Sequence, residues 1–248
     1  MVAQSHAQPI PILLLRPKAQ GADFADDLIV QFGSQLTLIE SPLLAPRFFS
    51  PQMPAGPFAA LILTSKTGVS AYLNLGAAVR DLPKSVYCVG ESTAIAASLA
   101  GLFPICAAPN AKALIQDIAG CALQGRLLHL RGRDARGDVA RNLQNAGIDT
   151  ESVIVYAQEM HPLTIEAQTV LQQTSPVLVP LFSPRTAQIF AAEMGRISGI
   201  SPLFVAAMSG DVALEARGLT AQVKVAHRPD AAAMRDALAL LLVDVRRA

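Results

Sequence analysis

The sequence predicts an α/β protein of two similar lobes, each a parallel sheet flanked by helices, joined by two extended linkers. Three observations carry that expectation. Short apolar runs alternate with amphipathic stretches along the whole chain. That order builds parallel sheets with crossover helices. The 248 residues are 52% hydrophobic but only 5% aromatic, with no Trp. Cores of Ala, Leu, Val and Ile suit buried parallel strands under Ala-rich helices. The third observation is a pattern that occurs twice. Leu61-Ile62-Leu63-Thr64-Ser65 opens a stretch that passes Val89-Gly90 and closes at Gly101-Leu102. Leu178-Val179-Pro180-Leu181-Phe182-Ser183 opens another that passes Met208-Ser209-Gly210 and closes at Gly218-Leu219. The two serines are 183 − 65 = 118 residues apart. Similarly, Ile12-Leu13-Leu14-Leu15-Arg16-Pro17 leads to Gly33, and Leu127-Leu128-His129-Leu130-Arg131-Gly132 leads to Gly147. The arginines of that pair are 131 − 16 = 115 residues apart.

The elements follow in order from local pattern. Ile10–Leu15 is an unbroken apolar run and reads as a strand; Ala22–Phe32 reads as a helix closed by Gly33. Leu36–Glu40 is strand-like. Ser41–Pro57 carries Pro42, Pro46, Pro51, Pro54 and Pro57 and reads as extended chain. Ala59–Leu63 is a strand, Thr67–Asn74 a helix, Val86–Val89 a strand, Ser92–Ala100 a helix. Ile105–Ala107 is a strand, and Ala111–Ala122 a helix ending near Gly125. Leu127–Leu130 is a strand, Asp138–Ala146 a helix, Ser152–Tyr156 a strand. Ala157–Pro162 reads as a second linker. Strand 177–181, helix 185–194, strand 203–206, helix 211–216, strand 221–225 and helix 230–243 complete the chain. Two linkers imply an inserted domain. Residues 1–40 with 163–248 form the first, discontinuous domain; 50–155 form the second; 41–49 and 156–162 connect them. A double connection still permits opening and closing of a cleft between the lobes.

Composition excludes several functions. The formal net charge is +1, so no general polyanion-binding surface is expected. The longest apolar stretches, such as Ala237 to Val243, are too short to span a bilayer. Met1–Pro9 is polar and lacks a signal-peptide core. Cys88, Cys106 and Cys121 are widely spaced, with no C-x-x-C pair. A zinc site and a disulfide framework are not expected, and a reducing cytoplasm is. The histidines His6, His129, His161 and His227 are isolated, and His129, inside a strand, reads as a core residue. No metal is expected.

In an open parallel sheet, ligands sit beyond the carboxyl ends of the strands. The residues at such ends are Arg16, Thr64, Ser65, Gly90, Arg131, Tyr156, Ser183 and Ser209. Ser65 and Ser183 each join a strand to a helix, where a serine caps the helix and the free N–H groups favour an anion. Simple capping accounts for them equally well, except that both halves of the repeat place Ser at the same point. Gly90 permits close backbone approach. Neither a dinucleotide fingerprint nor a Walker sequence is present, nor a nucleophile elbow around Ser65 or Ser183. Arg126, Arg131, Arg133, Arg136 and Arg141 form an Arg-rich stretch. It reads as a solvated face or, functionally, as a patch for carboxylates, which guanidinium binds bidentately.

These residues together resemble the uroporphyrinogen-III synthase family. The matching elements are Leu15-Arg16-Pro17, Leu63-Thr64-Ser65 with Gly68-Val69, and Val89-Gly90 with Thr93-Ala94. Leu130-Arg131-Gly132 with Arg136, Gly147 before Val155-Tyr156, Phe182-Ser183, Gly218-Leu219 and the Pro229-Asp230 helix follow in the same order. The resemblance implies a cytoplasmic, cofactor-free lyase of tetrapyrrole and haem biosynthesis with its cleft between two α/β lobes. The implied substrate is the linear hydroxymethylbilane, with eight carboxylates, and hydroxymethylbilane synthase is the candidate upstream donor. The implied product is uroporphyrinogen III, formed with loss of water and inversion of ring D. Tyr156 matches the family tyrosine proposed to assist the leaving hydroxyl. Ser65, Thr93 and Ser183 match positions that bind the acidic side chains. Arg16, Thr64, Gly90, Arg131 and Ser209 complete the expected substrate-binding set. No nucleic-acid or membrane partner is expected, and the chain is expected to be a monomer. One departure stands out: Val212 occupies a place where many members of the family have Thr, beside Asp211. The alternatives are a two-lobed binding protein for an acidic metabolite and a regulatory domain that has lost activity; the fold alone does not separate them.

Overall fold

The computed structural model describes residues 8–121, 125–134, 137–219 and 221–247; His6, Ala122 and Arg136 lie outside the described residues. In chain order the elements begin β1 (Ile10–Leu14), α1 (Lys18–Phe32), β2 (Leu36–Glu40), β3 (Leu44–Phe48), β4 (Ala60–Leu63), α2 (Lys66–Asn74) and β5 (Ser85–Val89). Then come α3 (Glu91–Leu99), β6 (Phe103–Ala108), α4 (Ala111–Gly120), β7 (Leu127–Gly132), α5 (Val139–Asn145) and β8 (Thr150–Met160). The last are α6 (Ile165–Leu171), β9 (Val177–Leu181), α7 (Pro184–Ile197), β10 (Leu203–Ala207), α8 (Gly210–Glu215), β11 (Ala221–Val225) and α9 (Ala231–Val245).

The chain divides into two compact units, Met1–Ala45 with Met160–Ala248, and Pro46–Glu159. The first holds a five-stranded sheet in the order β11-β10-β9-β1-β2, the second a six-stranded sheet in the order β3-β8-β7-β4-β5-β6. Read from β11 and from β6, the two orders coincide strand for strand until β3. The repeat pairs occupy equal places: β9 corresponds to β4, and β1 to β7. The chain order is permuted between them, because β1 and β2 precede their sheet partners while β7 and β8 follow theirs. The ladders β1–β2, β1–β9, β9–β10 and β10–β11 are parallel, as are β4–β5, β4–β7, β5–β6 and β7–β8.

Alternation along the strands splits each core into two layers. In the first unit Leu13, Val179, Leu181, Val205 and Ala207 face α6, α7 and α8. Ile12, Leu14, Leu178, Phe204 and Ala206 face α1 and α9. In the second unit Leu61, Leu63, Val86, Cys88, Leu128 and Leu130 face α2 and α3, while Ala60, Ile62, Tyr87 and Leu127 face α4 and α5. Burial on both faces is why these strands read as continuous apolar runs.

Two segments differ from the linear reading. Within the proline-rich stretch, Leu44–Phe48 is a strand, and β8 continues through Ala157 to Met160. They lie side by side: His161 N–H donates to Leu43 C=O (3.0 Å) and Phe49 N–H to Val155 C=O (2.9 Å). That pairing is antiparallel, and Arg47 bonds to Glu159 across it (3.0 Å). Pro46 is tolerated because β3 is an edge strand, where no N–H is required on the open side. The sequence pattern also does not predict the seven-residue α6. Thr164 caps it by accepting Ala167 N–H (3.3 Å), and Ser201 Oγ is 2.8 Å from each of the Val170 and Gln173 carbonyl oxygens.

Pro180 sits in a central strand, normally a forbidden place. Val177 N–H bonds to Pro202 C=O and Leu181 C=O accepts Met208 N–H, so the odd residues of β9 address β10. Even residues therefore address β1, and Pro180 withholds its bond there. The β1–β9 register is accordingly confined to Ile12 opposite Leu178. Pro180 leaves that ladder one bond short near its carboxyl ends, the ends that carry Arg16 and Phe182.

Candidate functional site

The candidate residues divide between the two units. Thr64, Ser65, Gly90, Thr93, Arg131 and Tyr156 belong to the second; Arg16, Ser183 and Ser209 belong to the first.

In the second unit the closest association is between Ser65 and Tyr156, 91 residues apart in sequence. Their hydroxyl oxygens are 3.0 Å apart, so either can donate to the other. Ser65 also caps α2, its Oγ accepting Gly68 N–H at 3.1 Å. Tyr156 is brought there by a β-bulge. Arg131 pairs with Ile154 but Gly132 pairs with Tyr156, leaving Val155 as the extra residue. Such a bulge re-aims side chains. Gly132 then makes room: a Cβ on it would stand 2.7 Å from Tyr156 Cζ and 2.9 Å from its hydroxyl oxygen. No side chain larger than hydrogen is compatible with the tyrosine's position. Gly132 was visible in the sequence only as part of a motif. A glycine within a strand signals a bulge or close approach, and here it marks both.

Arg131 turns its Nη1 onto the carbonyls of Gly132 (3.1 Å) and Arg133 (3.4 Å), and its Nε is buried without a hydrogen-bond partner. Gly90 has φ +79°, a left-handed value, with nothing within 4 Å of where a Cβ would stand. Its backbone is therefore open to approach. Thr93 is different: only 3% exposed, it points into the unit from α3. Thr64 is half-buried beside Ser65.

In the first unit Ser183 Oγ caps α7 by accepting Thr186 N–H (3.1 Å) and lies 2.8 Å from the Thr186 hydroxyl. Pro184 at the first helical position removes one free N–H. Ser209 caps α8 through Val212 N–H (3.4 Å). The Arg16 guanidinium stacks on the Phe182 ring, 4.3 Å from its centroid, and Phe182 meets Phe24 edge-on at 4.9 Å. Burial lowers the Arg16 pKa from its ordinary value. The departure at Val212 has a packing explanation. Val212 is 1% exposed and belongs to the core, and Thr93 at the matching place is buried too. What the two places share at the helix start is a backbone N–H, not a hydroxyl. Asp211 is exposed.

The Arg-rich stretch is not one patch. Arg126, at the start of β7, pairs with Asp149 (3.2 Å) and Glu151 and stacks on Phe58. Arg131 and Arg133 stand at the other end of that strand. His129 is 1% exposed, and neither ring nitrogen has a partner. Burial, then the charge of Arg131, push its pKa down to about 4 against the pull of Asp138. It is a neutral core residue. Cys88 is buried, Cys106 half-buried and Cys121 exposed; all three are free thiols. Among the described residues no group of His, Cys, Asp and Glu could hold a metal ion. Among them too, no helix is long and apolar enough to cross a membrane.

A family model described as uroporphyrinogen-III synthase HemD matches residues 35–236, which is most of the chain and spans both sheets. The chain belongs to the uroporphyrinogen-III synthase family. The fold agrees. The crystal structure of uroporphyrinogen-III synthetase from Helicobacter pylori 26695 matches with a TM-score of 0.60 at 17% identity, over 94% of this chain and 99% of that one. A mutant uroporphyrinogen III synthase from the extreme thermophile Thermus thermophilus aligns over 95% of this chain and 99% of its own at 12% identity, with a TM-score of 0.46. No curated protein matches the sequence significantly. Family membership assigns the chain to tetrapyrrole biosynthesis.

Proposed function

We propose that the protein cyclises linear hydroxymethylbilane to uroporphyrinogen III, as a cofactor-independent hydro-lyase of the cytoplasm. The observation that carries this reading is the hydroxyl pair Tyr156–Ser65, formed where the bulge within β8, rather than the strand end the sequence implied, meets the carboxyl end of β4, in a chain of this family. The terminal hydroxyl of the bilane leaves as water, and Tyr156 donates the hydrogen bond that eases its departure, with Ser65 holding the phenol in place. The azafulvene cation that remains is attacked by the substituted carbon of ring D. The spiro intermediate fragments, the ring turns over, and a second closure gives the macrocycle with loss of a proton. One water leaves, and no redox partner is needed.

Catalysis of this kind asks for restraint rather than a strong base. The bilane closes unaided to the type I isomer, so the protein must favour one geometry of attack. The hydroxyls of Ser65, Ser183 and Ser209 and the guanidiniums of Arg16 and Arg131 are groups that pair with carboxylate arms, and Gly90 leaves room for close approach. The three free thiols suit a reducing compartment. The test is direct. Purified protein given freshly made hydroxymethylbilane yields the type III isomer, separated from type I by chromatography after oxidation. Type I alone, at the uncatalysed rate, refutes the assignment and favours a binding protein without chemistry.

A further inference from the structure

Arg47 and Arg133 both lie over one ring. Their guanidinium carbons lie 5.7 and 5.0 Å from the Phe49 centroid. With Ile154 they line an open concavity of about 520 Å³ within the second unit. The backbone holds this arrangement from two sides of β8. Phe49 N–H donates to Val155 C=O (2.9 Å) and Arg133 N–H donates to Tyr156 C=O (2.8 Å). Those carbonyls belong to consecutive residues, the bulge residue and the candidate catalytic tyrosine. Phe49 and Arg133 thus come from opposite neighbours of the strand and meet above Ile154.

Two guanidiniums on one ring repel each other, and a ring face offsets only part of that. A guanidinium over a ring keeps N–H groups at its edge for a planar anion. Glu159 takes a single bond from Arg47, through Nη1 at 3.0 Å, and both partners are well exposed. From this we infer that Arg47 and Arg133 on Phe49 form a carboxylate subsite, which seats one acidic arm of the ligand on the Ile154 face of β8, the face opposite the Tyr156 ring. Glu159 is its internal competitor: it occupies Arg47 until a ligand carboxylate displaces it. The nature of the ligand, an octacarboxylate tetrapyrrole, rests on the function proposed above.

The experiment uses two readouts on the full chain: steady-state kinetics with hydroxymethylbilane, and equilibrium titration with uroporphyrin III, a stable octacarboxylate. Arg47→Met and Arg133→Met each raise KM and weaken uroporphyrin binding by roughly three- to tenfold, the range for exposed charge-assisted contacts, and the change falls on KM rather than kcat. Glu159→Gln acts in the opposite direction and tightens both. Unaltered uroporphyrin affinity in both arginine variants overturns the subsite, and so does weaker binding in Glu159→Gln. If the unaltered protein makes no type III isomer, the functional reading fails, and the uroporphyrin titration still decides the subsite.

Discussion

Replacing Gly132 by Ala tests how Tyr156 is held. The new Cβ would stand 2.7 Å from Tyr156 Cζ, 2.8 Å from Cε2 and 2.9 Å from the hydroxyl oxygen. Ordinary contact begins near 3.4 Å, so the far end of the ring must retreat by about 0.7 Å, the difference between 3.4 and 2.7 Å. Gly132 does not have a left-handed φ; the conflict is steric alone. The hydroxyl is 3.0 Å from Ser65 Oγ, and a displacement of that size disturbs the geometry of the bond. Overpacking of this kind costs about 1–3 kcal/mol, and misplacing a reacting group by about 1 Å costs roughly 100-fold in rate. The expected result is a kcat/KM about 100-fold lower with a modest fall in Tm. Tyrosine emission reports on the ring directly, because the chain has three Tyr and no Trp. A double-mutant cycle with Tyr156→Phe sharpens the test: once the hydroxyl is gone, the added methyl should cost little further activity. Wild-type rate and Tm in Gly132→Ala would refute the claim that this glycine positions the tyrosine.

Other outcomes follow from the same geometry. Tyr156→Phe slows turnover by about 100-fold, as for loss of a positioned proton donor, while uroporphyrin binding changes little; unaltered turnover removes Tyr156 from the mechanism. His129, held down to about 4, makes the fold acid-sensitive. The unfolded chain takes up the proton below about 6.5 and the folded chain does not until about 4, so stability falls as pH drops through that window, by up to roughly 3 kcal/mol. Urea unfolding of His129→Leu across the same range should show that slope flattened; an unchanged slope would mean another group titrates. Burial pushes the Cys88 thiol up to about 11, and Cys121 is exposed. A thiol reagent at neutral pH should therefore modify Cys121 first and leave Cys88 until unfolding, which peptide mapping reads out; early labelling of Cys88 would contradict its burial.

Most strands and helices are legible because burial on both faces leaves an unmistakable apolar run, and serines, Asp138 and Asp230 mark helix starts. What escaped has physical reasons. β3 contains Pro46, which reads as a break in sequence and is harmless on an edge. The end of β8, Ala157-Gln158-Glu159-Met160, lacks β-branched residues and is a strand because β3 lies beside it. α6 is only seven residues long and begins with Ile165, which is 83% exposed, so its apolar face is blurred. At the candidate site, the repeat singles out the serines, and the reading of strand ends together with the resemblance singles out Tyr156. The contact between Ser65 and Tyr156 depends on strand order and on one bulge, and no local pattern encodes either. The shared Phe49 ring under Arg47 and Arg133 joins segments far apart in the chain, and charge spacing pointed instead to a single Arg-rich run.

The most direct measurement is the isomer ratio from freshly prepared hydroxymethylbilane, with the unaltered protein and Tyr156→Phe compared over time. The account predicts predominantly uroporphyrinogen III from the first and a rate lower by about two orders of magnitude from the second. Type I product from both, at the rate seen without protein, would contradict it.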